Sequence, residues 1–286
     1  MPILPGFSSP GSRGSSAAEG SGRRKKEWLG SLANLSSFRS EISYLTIPVL
    51  HPPPYILSQW RFPLDKICIL IPAYNAQNTL GGVLEKTRPL QIDTIVVNDG
   101  SSDETRRIAG EFGARILEHP FNLGKGGALR TGFRYALDKG YEIVITLDAD
   151  GQHDPSEIPS LLRVFESVKP DFLIGSRAEE FGRMPFLRRF WNRLGARAVA
   201  RLCHSDIRDS QSGYRVIRTE VLEEIELTTL RFEAELELLI KACKRGFGVL
   251  SVPINAHRID GTKTSHFRPV ADTWKVCKLF LRSLLW

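Results

Sequence analysis

The chain has 286 residues, of which 42% are hydrophobic and 25% are charged, a composition typical of a globular protein with a substantial core. Its net charge of +7 favours an anionic partner, and nucleic acid, a membrane surface and phosphorylated substrates all fit that charge. No apolar stretch is long enough for a transmembrane helix, and the N-terminus lacks the apolar segment of a signal peptide. We therefore expect a cytoplasmic protein.

The four cysteines, Cys68, Cys203, Cys243 and Cys277, lie far apart and form no CxxC pair. This spacing argues against a zinc site and against a framework of disulfides. Cys68 lies in an apolar run and Cys243 in a helical pattern, so both are predicted to be buried free thiols.

Composition divides the chain into three parts. Residues 1–64 are rich in Ser, Gly and Pro and carry a basic run at 23–26, so they are predicted to form a disordered tail. Residues 65–257 alternate between apolar, strand-like runs and helical patterns, as expected for a folded domain. Residues 258–286 combine a basic loop with an amphipathic segment that is predicted to be helical.

The predicted elements of the central part alternate in type. The first strand is a continuous apolar run, as expected for a parallel strand that is covered on both faces. Helices are predicted after each of the first four strands, and the alternation indicates an α/β fold with an open, mostly parallel, Rossmann-like sheet flanked by helices. Right-handed crossovers would bring all carboxyl ends of the strands to one edge. The predicted strands are 66–72, 93–99, 114–119, 142–148 and 171–177.

Acidic side chains follow two of these strands. Asp99 comes after the second strand, where it could hold a ribose hydroxyl or a base edge of a nucleotide. Asp148 and Asp150 come after the fourth, and as an isolated pair they would repel each other. A divalent cation would relieve that repulsion, since Mg²⁺ and Mn²⁺ take oxygen ligands and are typically completed by substrate phosphates. The sequence therefore predicts a Mg²⁺ or Mn²⁺ site at Asp148 and Asp150, where Gln152 and His153 could add a ligand or orient one.

The Gly-rich turn at 122–127 allows two interpretations. Its backbone N–H groups could receive a phosphate at the start of a helix, although it is not a Walker motif because neither Ser nor Thr follows the lysine. A tight turn with packing glycines explains the sequence equally well.

Six motifs occur in an order that is more specific than any one of them. Together they resemble the family 2 glycosyltransferases with the GT-A fold, and especially the dolichyl- and polyprenyl-phosphate sugar synthases that transfer mannose or glucose. The resemblance covers about Lys66 to Asp272. The motifs are "ILIPAYNAQNTL", "IVVNDGSSDET", "NLGKGGALRTG", "LDADGQH", "GSR" and "DSQSGYRVIR".

The resemblance implies an inverting, metal-dependent hexosyltransferase that uses a GDP- or UDP-sugar donor and a polyprenyl or other lipid phosphate acceptor. The metal and the donor's diphosphate would be held by Asp148, Asp150 and Gln152. Arg177 would meet the sugar or the phosphates and, with Asp150 and Asp209, belong to the catalytic residues. The nucleotide-sugar pocket would be formed by Pro72, Tyr74, Asp99, Lys125, Arg130 and Asp148.

Two later segments are predicted to serve the acceptor. In 206–215, which resembles the acceptor loop of the family, Asp209 is the candidate catalytic base and Arg215 is available to pair with a phosphate. The segment "RIDGTKTS" resembles a flexible loop that closes over both phosphates, and its candidate ligands are Arg258, Lys263 and Ser265.

Residues 271–286 place basic side chains on one helical face and aromatic and aliphatic ones on another. Such a helix suits a membrane interface, although packing onto the domain explains it equally well. The first interpretation predicts a peripheral protein at the inner face of the cell membrane.

Two other functions stay open from the sequence. One is a family 2 transferase that acts on a hydroxyl of a polysaccharide or glycolipid, for which Asp209 would have to act as a base. The other is a non-catalytic module that binds nucleotide-sugars. Nucleic acid is not expected, because aromatic residues do not interleave with Lys and Arg on the strands.

Overall fold

The computed structural model describes residues 63–177, 199–201, 207 and 209–254. Nearly all of the predicted N-terminal tail and the whole predicted C-terminal segment, 258–286, lie outside these residues. The described residues form one seven-stranded sheet with helices on both faces.

The elements of the first half agree with the sequence prediction to within a few residues. All five predicted strands are present, and the helix after the third strand ends at Gly140, which adopts the left-handed conformation typical of a helix end. In chain order the elements are β1 (Ile67–Ala73), α1 (Leu80–Thr87), β2 (Asp93–Asn98), α2 (Thr105–Glu111), β3 (Arg115–Glu118), α3 (Lys125–Lys139), β4 (Ile143–Thr146), α4 (Ile158–Val168) and β5 (Phe172–Ser176).

The second half contributes two strands that the sequence did not predict. After β5 come β6 (Arg215–Arg218), α5 (Thr219–Glu224), α6 (Glu233–Lys244) and β7 (Val249–Pro253). The strand order is β3-β2-β1-β4-β6-β5-β7. Strand β6 runs antiparallel to both β4 and β5, whereas the other neighbouring pairs are parallel. The prediction of a mostly parallel sheet is confirmed.

The core consists of two layers separated by the sheet. On one face, Ile67, Ile69 and Ile71 of β1 pack with apolar residues of α1 and α4. On the other face, Cys68 and Leu70 pack with those of α3, α5 and α6. Because successive side chains of a strand point to opposite faces, the continuous apolar run of β1 serves both layers.

The cysteine prediction is confirmed at one position and wrong at another. Cys68 is a buried free thiol, and burial raises its pKa. Cys243 is disulfide-bonded. Sequence spacing alone did not reveal that bond, because it depends on which segments the fold brings together.

Across the described parts of the chain, every helix is too short or too polar to cross a bilayer.

Substitution by alanine is predicted to have opposite effects on stability at Gly82 and at Gly132. A Cβ at Gly132 would lie 2.2 Å from Cδ1 of Leu70, whereas one at Gly82 would meet nothing within 4 Å. Gly132→Ala should therefore lower the free energy of unfolding by about 1–3 kcal/mol through overpacking of α3 on β1. Gly82→Ala should raise it by up to about 1 kcal/mol, because alanine is the better helix former. Urea unfolding of both variants checks this, and equal stability would contradict the close approach of α3 to β1.

Candidate active site

The two aspartates predicted to bind the metal lie in the turn that follows β4, at the carboxyl edge of the sheet. Asp150 accepts a hydrogen bond from the backbone N–H of Gln152 at 3.0 Å, and Gly151 takes a positive φ of 74°. The turn is therefore tight, and it leaves Asp148 and Asp150 on a short stretch of backbone, as the sequence predicts.

Asp148 is paired with a lysine from a different element. The ammonium of Lys125, the first residue of α3, lies 2.5 Å from Oδ1 of Asp148 and 3.0 Å from Oε1 of Glu235. Glu235 belongs to the first turn of α6. One lysine thus joins two carboxylates from separate segments, and the predicted proximity of Lys125 to the donor site agrees with its place beside Asp148.

Burial and neighbouring charges shift the pKa values of the two aspartates in opposite directions. Burial alone would raise the pKa of Asp148, but the charge of Lys125 outweighs it and holds that pKa below its ordinary value. Burial, followed by repulsion from Asp148, raises the pKa of Asp150 to about 6. The pair therefore carries negative charge that Lys125 only partly balances, which is the electrostatic condition that favours a bound cation.

The shape of the site around Asp148 depends on Gly213. A Cβ there would lie 2.6 Å from both carboxylate oxygens of Asp148. The hydroxyl of Thr146, the last residue of β4, donates to the carbonyl of Gly213 at 2.7 Å. The loop that precedes β6 is in this way fixed against the turn that carries the aspartates.

Arg177 and Asp209 form an ion pair at the same edge. Nε of Arg177 donates to Oδ2 of Asp209 at 3.0 Å, and the backbone N–H of Arg177 donates to the same oxygen at 3.3 Å. A second guanidinium nitrogen lies 3.5 Å from Oε1 of Gln152. Burial lowers the pKa of Arg177, but the charges of Asp209 and Asp148 raise it overall. The structure thus places Arg177, Asp209 and Gln152 together.

The predicted role of Arg215 as an acceptor-phosphate ligand is wrong. Its side chain is fully buried, with 1% of its surface exposed. The guanidinium donates to the backbone carbonyls of Ser212, Glu235 and Ser210 at 2.8, 2.6 and 3.3 Å. Arg215 therefore ties the loop before β6 to the start of α6, and it offers no donor to a phosphate.

Asp99 also has a different role from the predicted one. Its carboxylate is buried and accepts hydrogen bonds from the backbone N–H groups of Leu123 and Gly124 and from His119. It does not offer an oxygen to a nucleotide, and the prediction of a ribose or base contact is corrected accordingly. Asp99 instead orders the Gly-rich turn that leads to Lys125.

The glycines of that turn are closely packed, as in the second of the two interpretations of the sequence, a tight turn with packing glycines. A Cβ at Gly124 would lie 2.4 Å from the carbonyl oxygen of Leu230, and one at Gly126 would lie 2.6 Å from that of Thr229. The N–H of Gly127 donates to the carbonyl of Leu230 at 3.2 Å. The loop before α6 thus occupies the space beside these glycines.

The remaining predicted residues fall into two groups. Pro72 lies near the carboxyl end of β1, Tyr74 follows that strand with 41% of its surface exposed, and Arg130 is exposed on α3. Arg258, Lys263 and Ser265 lie outside the described residues.

The residues at the edge fit a divalent cation that is completed by a substrate. Within the described ranges, no group of three or more His, Cys, Asp or Glu side chains is placed to hold a metal ion. Mg²⁺ and Mn²⁺ commonly need only one or two carboxylates when phosphates supply further oxygens. His153 is buried beside the pair, and its Nδ1 has no hydrogen-bond partner and lies 3.9 Å from Asp148. Burial lowers the pKa of His153 to about 4, so its ring is neutral at neutral pH.

Comparison with known proteins assigns the chain to a family. The sequence model of Glycosyl transferase family 2 matches residues 68–226, which is more than half of the chain. The chain belongs to this family. The match contains the Gly-rich turn, both aspartates of the β4 turn and β6.

Relatives and solved structures agree with this assignment. The chain is 36% identical over 199 residues to the uncharacterized protein MJ1222 of Methanocaldococcus jannaschii, covering 66% of this chain and 81% of that protein. It is 30% identical over 206 residues to the polyprenol monophosphomannose synthase of Mycolicibacterium smegmatis, covering 67% and 77%. Glucosyl-3-phosphoglycerate synthase of Mycobacterium tuberculosis, solved with Mn²⁺, UDP and phosphoglyceric acid, superposes with a TM-score of 0.58 at 22% identity, covering 79% of this chain and 84% of that one.

These comparisons confirm the predicted family and fold. The chain is a family 2 glycosyltransferase that resembles polyprenyl-phosphate sugar synthases, and its solved structural neighbours show the same GT-A fold.

Two residues of the glycosyltransferase site were missed by the sequence analysis. Glu235 contacts Lys125, and His119 contacts Asp99. Glu235 lies within a run of acidic and apolar residues that reads as an ordinary amphipathic helix, so no sequence signal singled it out. His119 follows directly after β3, and its place at the carboxyl end of a strand was a usable signal.

Glu237 supports the loop that packs against the Gly-rich turn. Its fully buried carboxylate accepts hydrogen bonds from the backbone N–H and hydroxyl groups of Thr228 and Thr229. It also pairs with Lys241 at 2.5 Å. Burial opposes ionisation, but the bonds from Lys241 and the two threonines lower the pKa of Glu237 to about 2.

This lowered pKa predicts a pH dependence of stability. A carboxylate whose pKa is lower in the folded state stabilises the protein above its unfolded pKa, here about 4.3, and that stability is lost as the pH falls toward about 2. In urea unfolding between about pH 6 and about pH 3, Glu237→Gln should be less stable at the upper end and should lose less stability on acidification than wild type. Glu223→Gln, an exposed position on α5, is the control and should keep the wild-type slope. An unchanged slope in Glu237→Gln would show that this carboxylate has no special environment.

Proposed function

We propose that this glycosyltransferase moves a sugar from a nucleotide-diphosphate sugar to a lipid phosphate such as polyprenyl phosphate, in a metal-dependent reaction that inverts the anomeric configuration. The observation that carries the proposal is the arrangement of charge at the carboxyl edge. Two aspartates are available there for a cation, whereas the only predicted catalytic base is already paired with an arginine.

On the donor side, Asp148 and Asp150 would hold Mg²⁺ or Mn²⁺, and Gln152 lies within the same turn. The cation would stabilise the departing diphosphate as a Lewis acid. Lys125 and Arg177 place further positive charge at the edge, where it would stabilise the negative charge that develops on the leaving group. The solved neighbour that contains Mn²⁺ and UDP supports a metal and a nucleoside diphosphate in this fold, without deciding between UDP and GDP.

On the acceptor side, the ion pair between Arg177 and Asp209 favours a phosphate over a hydroxyl. Oδ2 of Asp209 already accepts from Nε and from the backbone N–H of Arg177, and Oδ1 accepts from the backbone N–H of Gln211, so both oxygens are engaged with the protein. A hydroxyl acceptor needs a base, whereas a phosphate monoester is already ionised near neutral pH. Asp209 would then orient Arg177 rather than take a proton.

The relatives support a lipid as the carrier of that phosphate. One of them is named a polyprenol monophosphomannose synthase, and a polyprenyl phosphate exposes its charged group at the surface of a bilayer. We propose accordingly that the protein works as a peripheral protein at the inner face of the cell membrane. Attack of the phosphate oxygen on the anomeric carbon, in one displacement, accounts for inversion.

A transfer assay tests the proposal directly. Purified protein with Mn²⁺ and labelled GDP- or UDP-sugars should label polyprenyl phosphate, recovered in the organic phase, in preference to phosphoglycerate or soluble saccharides. Asp148→Asn combined with Asp150→Asn should lower the rate by about 10³-fold or more, because several kcal/mol of charge stabilisation is lost. Asp138→Asn, an exposed aspartate near the end of α3, is the matched control. Transfer only to soluble acceptors would refute the lipid phosphate, and full activity of the double variant would refute the metal site.

Asp209→Asn separates the two acceptor chemistries. Asparagine can keep a hydrogen bond to Arg177 but cannot accept a proton. With a phosphate acceptor, we expect kcat to fall by less than about tenfold, since general-base catalysis typically contributes 10²–10⁴-fold and none is needed. A loss of about 10³-fold in the same assay would contradict this account and favour a hydroxyl acceptor.

A further inference from the structure

A buried chain of polar side chains lies behind the Gly-rich turn. Nδ1 of His119 is 2.7 Å from Oδ1 of Asp99, and Nε2 of the same ring is 2.9 Å from the hydroxyl of Thr131 on α3. The side chains of Asp99 and His119 are 3% and 7% exposed. The imidazole is therefore fixed at both nitrogens, between the end of β3 and the second turn of α3.

The carboxylate of Asp99 transmits this constraint to the backbone. Its Oδ1 accepts from the N–H of Leu123 at 2.9 Å, and its Oδ2 accepts from the N–H of Gly124 at 2.8 Å. The next residue is Lys125, whose ammonium joins Asp148 to Glu235. One carboxylate thus sets the last two peptide groups before the lysine.

The turn has little freedom to adopt another conformation. Gly124 has a φ of 91°, and a Cβ at this position would lie 2.4 Å from the carbonyl oxygen of Leu230. The loop that contains Leu230 closes one side of the turn. The hydrogen bonds from the turn to Asp99 therefore determine the direction in which Lys125 leaves it.

We propose that His119 is a positioning residue of the donor site, which acts through Asp99 to place Lys125 beside Asp148. This inference rests on the proposed function, in which Lys125 stabilises the donor's diphosphate. The Asp99 carboxylate accepts from two backbone N–H groups, and Nδ1 of His119 completes this set as a third donor, while Nε2 meets the hydroxyl of Thr131. Removal of the Nδ1 donor leaves a buried carboxylate short of one partner, and the carboxylate then holds the turn less firmly.

Two amide substitutions of His119 separate its two contacts. In His119→Asn the side-chain NH₂ lies near the place of Nδ1 and can still donate to Asp99, whereas in His119→Gln it lies near the place of Nε2 and reaches Thr131 instead. Thr131→Val is a further control, because it removes only the hydrogen bond between Thr131 and Nε2 of His119 and leaves the contact between His119 and Asp99. Each of the three variants removes one hydrogen bond from the buried set formed by Asp99, His119 and Thr131. A general loss of stability should therefore be similar in all three, and a difference between them reports on which contact was removed.

The first readout is hydrogen exchange, which does not depend on enzymatic activity. His119→Gln should speed exchange of the amides of Leu123 and Gly124 by about tenfold or more, because these bonds then open locally. His119→Asn and Thr131→Val should change it by less than about threefold. Equal acceleration in His119→Asn and His119→Gln would overturn the proposal, since the contact to Asp99 would then not be the one that orders the turn.

The second readout is transfer kinetics with the nucleotide-sugar varied. His119→Gln should lower kcat/KM for the donor by about tenfold or more, as expected when a charged group is displaced from its working position, and should leave KM for the acceptor within about twofold. His119→Asn should retain most of the activity. Faster exchange in His119→Gln with unchanged donor kinetics would overturn the positioning role. A wild-type protein without transfer activity would refute the proposed function instead, and the exchange comparison would still decide whether His119 orders the turn.

Discussion

Two carboxylates that leave a buried strand two residues apart can both stay ionised only if positive charge lies beside them. In this protein the positive charge comes from separate segments. Lys125 approaches from the start of α3 and Arg177 from the end of β5, and Lys125 contacts Asp148 directly. The remaining negative charge of the pair is what a divalent cation would balance, and the rest of the edge serves to hold these groups at fixed distances.

Much of that support comes from polar residues that never reach the edge themselves. Arg215 is buried under the loop before β6 and binds three backbone carbonyls, one of which belongs to Glu235. Asp99 holds the backbone just before Lys125, and Glu237 holds the loop that packs against the same turn. Each is a charged group that is buried with its hydrogen-bonding partners, as burial of charge requires. These contacts fix the positions of Lys125 and of the loops around the edge, and fixed charges are what electrostatic catalysis requires.

The sequence predicted the architecture well where local pattern decides structure. Apolar runs such as 66–72 marked the parallel strands, and Asp154 before Pro155 marked the start of a helical segment, where its side chain accepts from Ser156. Strands β6 and β7 were missed although they are no shorter than β3 and β4, which were predicted. Strand β6 begins with a buried arginine, a residue that argues against a strand interior.

For the site, local pattern predicts residue types at the edge but not their partners. Asp148, Asp150 and Arg177 were predicted at one edge because they follow strands, and Asp209 was predicted as a catalytic residue from the resemblance. Whether Asp99 and Arg215 face a ligand or the protein interior depends on which donors and acceptors the fold brings to them, and no local pattern encodes that. Glu235 escaped notice for the same reason, since its significance lies in its 3.0 Å contact with Lys125.

We propose that Asp148 and Asp150 hold a divalent cation together with a nucleoside diphosphate. Anomalous diffraction from crystals grown with Mn²⁺ and either UDP or GDP would locate that cation. We expect one strong peak at about 2.0–2.2 Å from a carboxylate oxygen of this pair and from the diphosphate, with the peak absent in Asp148→Asn combined with Asp150→Asn. Nucleotide bound at the edge with no metal near either aspartate, or a peak that survives in the double variant, would contradict it.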